Sequence, residues 1–338
     1  MGSARVAKWR ESFLFLLVVV LGVTNLFLGY LLYVEKSSVG SEKNVGGVGG
    51  GGAFNLLAPS VALGDEEFWH KKVKFVPSYL ELKERVNDSF YFSVKKYANS
   101  SASFGFYFED LDTGAWVGIN ERDTFIPGSL LKIPTLVAVL KKVENGELSL
   151  DRRVMVLGQD LDSNYGPLAY WGCGYNLSVF ELINYTIYYS DNTANNALFR
   201  QIEIGDFFDS LTNLGVSTRS YIMSGSILML SPKDESNIFR NLYYSGYLER
   251  NNSQLLLQLL ASTNFTGGLP AGVPEGVVVS HKTGQWRDYG EYHDCGIVYA
   301  PKKRYMICVM TRGITEDESA RIIGEISHVT YDFISSYS

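Results

Sequence analysis

Ser129-Leu130-Leu131-Lys132-Ile133-Pro134-Thr135-Leu136-Val137-Ala138-Val139-Leu140-Lys141-Lys142-Val143-Glu144 is the stretch on which the fold turns. Leu130, Leu131, Ile133, Leu136, Val137, Val139 and Leu140 cover nearly every side of a helical wheel. The segment therefore predicts a buried helix over 129–144, closed by Asn145-Gly146. Three residues along a helix is one turn on one face, so the Lys132 amine can reach the Ser129 hydroxyl. A serine needs a base to act as a nucleophile at neutral pH. A lysine supplies one where burial and positive neighbours lower its pKa, at about 1.4 kcal/mol per unit. The helix start also favours a developing anion. The S-x-x-K spacing alone arises by chance about once in a chain of this size, and Ser93 with Lys96 is such a pair on a polar helix.

Outward from that helix the pattern is mixed. Tyr79 to Tyr97 has helical spacing. Phe104 to Glu109 and Ala115 to Ile119 alternate like strands around the turn Asp112-Thr113-Gly114. Towards the C-terminus, Val277 to His281, Gly296 to Ala300 and Tyr305 to Thr311 are β-rich, with Pro301-Lys302-Lys303-Arg304 turning the last pair. Thr315 and Glu318 form a capping box, and Ile322, Ile326, Val329 and Phe333 stripe the helix it opens. Two strands early, three late and helices between predict an α+β fold with one antiparallel five-stranded sheet.

The 338 residues carry a net charge of −6, which argues against a nucleic-acid binder resting on phosphate contacts. Three cysteines, Cys173, Cys295 and Cys308, are too few for a disulfide scaffold and form no C-x-x-C pair. Cys173 reads as a small buried hydrophobe. A turn over 301–304 sets Cys295 and Cys308 on non-opposed positions, which speaks against their pairing. Four histidines without an H-E-x-x-H arrangement suggest neither a metal nor another cofactor. With no G-x-S-x-G and no evident serine partner for His70, His281, His293 or His328, a Ser-His-Asp triad is not indicated.

Phe13 to Val34 is an uncharged apolar run of 22 residues, long enough at ~1.5 Å per residue to span the ~30 Å hydrocarbon core. Arg5, Lys8 and Arg10 before it predict a cytoplasmic N-terminus over 1–12, an anchor over 13–34 and an extracytoplasmic remainder. Lys36 to Ala53 is Gly/Ser-rich, so 35–65 reads as a flexible linker and 66–338 as the folded domain.

Two further tripeptides carry chemistry. Ser190-Asp191-Asn192 reads as an Asx/Ser helix cap, or as a proton-relaying hydroxyl beside an amide that bonds a substrate amide. Lys282-Thr283-Gly284 follows a strand directly. It reads as a bulge, or as an edge strand whose Lys and Thr hold a carboxylate while Gly allows close approach.

In this order the three motifs resemble the active-site serine hydrolases of the penicillin-binding protein and β-lactamase superfamily, most closely its class A β-lactamase-like branch. Leu111-Asp112-Thr113-Gly114, Gly118-Ile119-Asn120, Leu150-Asp151-Arg152-Arg153-Val154, Asn164-Tyr165-Gly166-Pro167 and Asp288-Tyr289-Gly290 extend the likeness. The resemblance implies a β-lactamase/transpeptidase-like sheet flanked by helices, with a mostly α-helical subdomain. It implies Ser129 as acylated nucleophile, Lys132 as base and Ser190 as relay. It further implies Asn192 on the substrate's side-chain amide, and Lys282 and Thr283 on its carboxylate. Gly284 permits close approach, the N–H groups of Ser129 and Gln285 form an oxyanion hole, and Tyr165 walls the cleft. Arg287 is available as a second carboxylate clamp.

One departure matters. Class A β-lactamases activate the deacylating water with a glutamate on a long loop. Here that region, Gly215 to Leu228, is about a dozen residues shorter and holds no Asp or Glu. The acids on either side are Asp209 and Asp234. The expectation is a membrane-anchored D,D-peptidase or transpeptidase acting on cell-wall peptides and acylated by β-lactams. A slow β-lactamase and a non-catalytic sensor are the alternatives.

Overall fold

Strand alternation sorts the β-rich runs onto two faces of one sheet. The computed structural model describes residues 79–97, 102–216, 228–301 and 303–336. The anchor, the linker and the domain start at 66 lie outside the described residues. Among the described residues no helix is long and apolar enough to cross a membrane.

Helix α1 (Leu80–Tyr97) precedes β1 (Ser103–Asp110) and β2 (Trp116–Ile119). A 3-10 turn, Gly128–Leu131, leads into α2 (Lys132–Glu144). The short strands β3 (Arg153–Met155) and β4 (Asn176–Ser178) bracket a loop, and α3 (Val179–Tyr188), α4 (Asn192–Phe199) and α5 (Ile204–Asn213) follow. Then come α6 (Pro232–Tyr244), α7 (Arg250–Ala261), β5 (Val278–Trp286), β6 (Glu291–Tyr299), β7 (Arg304–Arg312) and α8 (Glu316–Ser336). The sheet runs β2-β1-β7-β6-β5, antiparallel throughout, as expected from the sequence, while β3 and β4 form a separate ribbon.

On one face, Phe104, Phe106, Phe108, Tyr305, Ile307 and Val309 pack against α1 and α8. On the other, Tyr107, Cys295, Met306, Cys308 and Met310 meet α2 and the helical subdomain. Each fully buried aromatic or aliphatic side chain contributes roughly 1.5–3 kcal/mol.

Three details depart from the sequence reading. The α-helix begins at Lys132, not Ser129. Pro134 explains this, because a proline fits only the first helical turn, where no N–H is needed. Lys282-Thr283-Gly284 lies inside β5, paired with Cys295, Asp294 and His293 of β6, and does not follow the strand. Finally, the β6–β7 loop is Ala300 to Lys303, between the paired Tyr299 and Arg304. That one-residue shift of the loop moves the register by two. Cys295 then stands opposite Cys308, and the two form a buried disulfide. Cys173 is not buried: it is a free, exposed thiol between Gly172 and Gly174, whose positive φ values carry the loop outward.

Candidate active site

Ser129 sits half-buried on the 3-10 turn, which is pressed against β5. A β carbon on Gly284 would stand 2.3 Å from the Pro127 carbonyl oxygen. One on Gly128, at φ 54, would stand 2.2 Å from the Gln285 carbonyl oxygen. Glycine at both positions lets turn and strand approach, bringing the backbone of Ser129 beside that of Gln285.

Lys132, the first residue of α2, is buried. Its Nζ donates to Ser190 Oγ at 3.1 Å, to Asn192 Oδ1 at 2.6 Å and to the Ser190 carbonyl. Among the described residues no hydrogen bond joins it to Ser129 Oγ. The 3-10 rise of ~2.0 Å per residue sets the two further apart than an α-helical turn would. Burial lowers the Lys132 pKa to about 8, against the opposing pull of Asp191 and Asp162. Lys282 is also fully buried. Its Nζ bonds Ser190 Oγ at 2.9 Å and the Thr283 carbonyl at 2.9 Å. Desolvation, then the Lys132 charge, hold its pKa well below the usual lysine value.

Ser190 Oγ thus lies between two amines. A hydroxyl can accept from one and donate to the other, so the three groups can pass a proton. Ser190 is held at φ 53, a left-handed conformation that a non-glycine residue adopts only where its surroundings impose it. Asp191 supplies that constraint. As N-cap of α4 its Oδ1 accepts the Ala194 N–H at 2.7 Å, and its Oδ2 accepts the Leu168 N–H at 2.8 Å. Gly166, at φ 88, packs so close that a β carbon would fall 2.2 Å from Asp191 Oδ2. The cap reading of Ser190-Asp191-Asn192 holds, and the cap fixes where the Ser190 hydroxyl and the Asn192 amide stand.

A cavity of about 310 Å³ opens above these groups, lined by Ser129, Tyr165, Ser190, Thr283, Gly284 and Gln285 among others. Lys132, Asn192 and Lys282 join these lining residues through Ser190 and one another, so all the predicted site residues but Arg287 fall in one cluster. The sequence reading missed Phe265. Its ring stacks on Tyr165 at 6.0 Å between centroids and lies 5.5 Å from Lys282 Nζ. The one signal for it was the glycine pair Gly267-Gly268, which marks a tight loop. Asp294 ties that loop down by accepting the Leu269 N–H at 2.9 Å and pairing with buried His281 at 2.7 Å. Arg287 is exposed, 3.8 Å from Glu316. The region without acids, 215–228, is described only at Gly215, Val216 and Leu228. Leu228 lines a second cavity, about 560 Å³, with Ser129, Lys132 and Asn195. Among the described residues no His/Cys/Asp/Glu group is arranged to hold a metal.

Comparison with known proteins agrees with this geometry. The profile of the β-lactamase enzyme family matches residues 81–334. A β-lactamase of Streptomyces albus G is 26% identical over 246 residues, 68% of this chain and 78% of that protein. In fold, the chain is similar to PBP-A, solved as a point mutant in an acyl-enzyme complex with penicillin G. That match has a TM-score of 0.65 and 23% identity, and covers 75% of this chain and 97% of that one. It is likewise similar to a point mutant of the class A β-lactamase of the last common ancestor of Gram-negative bacteria, at TM-score 0.67, 22% identity, and 76% and 100% coverage. Together with the family match, this establishes that the chain belongs to the β-lactamase enzyme family of serine hydrolases.

Proposed function

We propose that the protein is a penicillin-binding peptidase of the D,D-peptidase or transpeptidase type, acting through an acyl-enzyme on Ser129. The observation that carries this reading is the Ser190 hydroxyl held between the buried amines of Lys132 and Lys282. Neutral Lys132 takes the Ser129 proton as Oγ attacks the carbonyl. The N–H groups of Ser129 and Gln285 face the oxyanion, each worth ~2.7–4 kcal/mol in the transition state. When the C–N bond breaks, Ser190 gives its proton to the leaving nitrogen and is re-protonated by the Lys132 ammonium. Lys282 and Thr283 hold the ligand carboxylate, Asn192 its side-chain amide, and Tyr165 walls the cleft. The substrates are cell-wall peptides ending in D-Ala-D-Ala, with β-lactams as acylating mimics. The Phe13–Val34 segment anchors the chain, with its folded part on the extracytoplasmic side. Protease shaving of intact cells checks this, and protection of the folded part would refute it.

The absence of Asp and Glu from 215–228 supports a long-lived acyl-enzyme. A second reading, β-lactam hydrolysis with turnover, is favoured by the β-lactamases among the relatives. Intact-mass spectrometry after mixing with benzylpenicillin separates them. A single adduct that persists for many minutes and is absent from Ser129→Ala supports the peptidase. Catalytic drug loss without a lasting adduct supports the β-lactamase. Neither adduct nor loss refutes both and leaves a binding module.

A further inference from the structure

Beside the cleft, the 3-10 turn Leu168–Trp171, Tyr175 ahead of β4, α3 and its following residue Tyr189 carry five aromatic rings in sequential contact. Trp171 lies 5.6 Å from Tyr175 and 5.8 Å from Tyr185. Tyr185 stacks on Tyr189 at 5.6 Å, and Tyr189 meets Tyr188 at 4.7 Å. Tyr175 and Tyr185 pack against the core, but Trp171 is 55% exposed and Tyr188 and Tyr189 are also exposed, so core packing does not account for these three. A hollow of about 240 Å³ is lined by Asn184, Tyr185, Tyr188 and Tyr189: three phenols and an amide, without charge or aliphatic side chain.

We infer that this strip binds a glycan chain built of neutral aminosugars. The flat faces of pyranose rings present polarised C–H bonds that match the negative faces of aromatic rings, while phenol and amide groups reach sugar hydroxyl and acetamido groups. The uncharged lining disfavours phosphate headgroups and nucleic acid. The absence of Leu, Ile and Val from the hollow disfavours an apolar protein segment.

One end of the strip adjoins the reactive cleft. Tyr188 and Tyr189 directly precede Ser190. The Tyr188 carbonyl accepts the Asn264 N–H at 3.3 Å, and Asn264 and Phe265 line the cavity over Ser190. A glycan on the strip would present its peptide branches beside Asn264 and Phe265, at the edge of that cavity. This proposal rests on the cell-wall reading of the cleft.

The test is calorimetric titration of the full chain in mild detergent with chitohexaose, in a Ser129→Ala background. Saturable binding is expected, about tenfold weaker in Trp171→Ala and largely kept in Trp171→Tyr. With Ser129 restored, both Trp171 variants should be acylated by benzylpenicillin within about twofold of the unaltered chain, since Trp171 lies outside the cleft. No saturable binding, or binding indifferent to Trp171→Ala, overturns the glycan strip even where penicillin acylates Ser129. Binding without acylation supports the strip and overturns the peptidase reading instead. A dimer in solution that Trp171→Ala dissolves, with no chitohexaose binding, would show a second copy seated there and overturn the proposal.

Discussion

Gly284→Ala is the sharpest perturbation of the proposed chemistry that leaves every reacting side chain in place. The added β carbon would sit 2.3 Å from the Pro127 carbonyl oxygen and 2.8 Å from Leu130 Cγ, whereas real contacts stay above 3.0 Å. Strand β5 and the Ser129 turn must therefore part by at least ~0.7 Å, the difference between 3.0 and 2.3 Å. The two proposed oxyanion donors, Ser129 N–H and Gln285 N–H, lie on opposite sides of that contact. Parting them takes one out of reach, at ~2.7–4 kcal/mol, or a 10²–10³-fold loss in acylation rate. Overpacking alone costs ~1–3 kcal/mol of stability, roughly 2–12 °C in Tm for a domain of this size. The assay pairs the second-order rate of benzylpenicillin acylation with thermal melts. Gly158→Ala is the control, because nothing lies within 4 Å of its β carbon. A Gly284→Ala protein that melts lower yet acylates within about threefold of the unaltered chain would refute the argument.

Three further outcomes are expected. Since Lys132 has a pKa of about 8 through burial, its free-amine fraction grows as pH rises. Acylation should therefore accelerate from about pH 6 and level off above 8, and a flat profile would remove Lys132 as the base. Leu228→Glu puts a carboxylate into the cavity shared by Ser129, Lys132 and Asn195. The penicilloyl adduct should then decay at least ~10²-fold faster in a mass-spectrometric time course, and unchanged decay counts against that cavity as the route for water. Glu235 is fully buried with both carboxylate oxygens unpartnered, and burial pushes its pKa up to about 8. In the unfolded chain it ionises near ~4.3. Its contribution is thus fully present below that value and is lost as pH rises towards 8, by up to ~1.4 kcal/mol per unit. Denaturant titrations of Glu235→Leu should show that loss abolished, and an identical pH dependence in both proteins would contradict it.

The sheet and the buried helix were legible because their signals are local: alternation in β1 and β7, and an all-apolar wheel in α2. The three motifs were legible through residue type and spacing, although nothing in the spacing said that Lys132 would turn from Ser129 towards Ser190. What escaped was set by tertiary contact. Phe265 acquires a role only because Asp294, 29 positions further along the chain, pins its loop across the cleft. The Cys295–Cys308 pair depended on a hairpin loop starting at Ala300 instead of Pro301, a choice that local turn chemistry does not make. The strand through Lys282-Thr283-Gly284 persists because β6 pairs with all of it, in a segment with little intrinsic β preference.

The left-handed backbone of Ser190 bears on which residues that position can hold. Glycine adopts that conformation freely, whereas a serine gives up about 1–2 kcal/mol to stay there. A Ser190→Gly change would relieve that strain but would take from two buried amines a partner worth about 1.5–3 kcal/mol to each where it is charged. Stability alone therefore does not favour glycine at this position. The strained turn is thus offset on the spot, by the same two amines that the proposed acyl transfer employs.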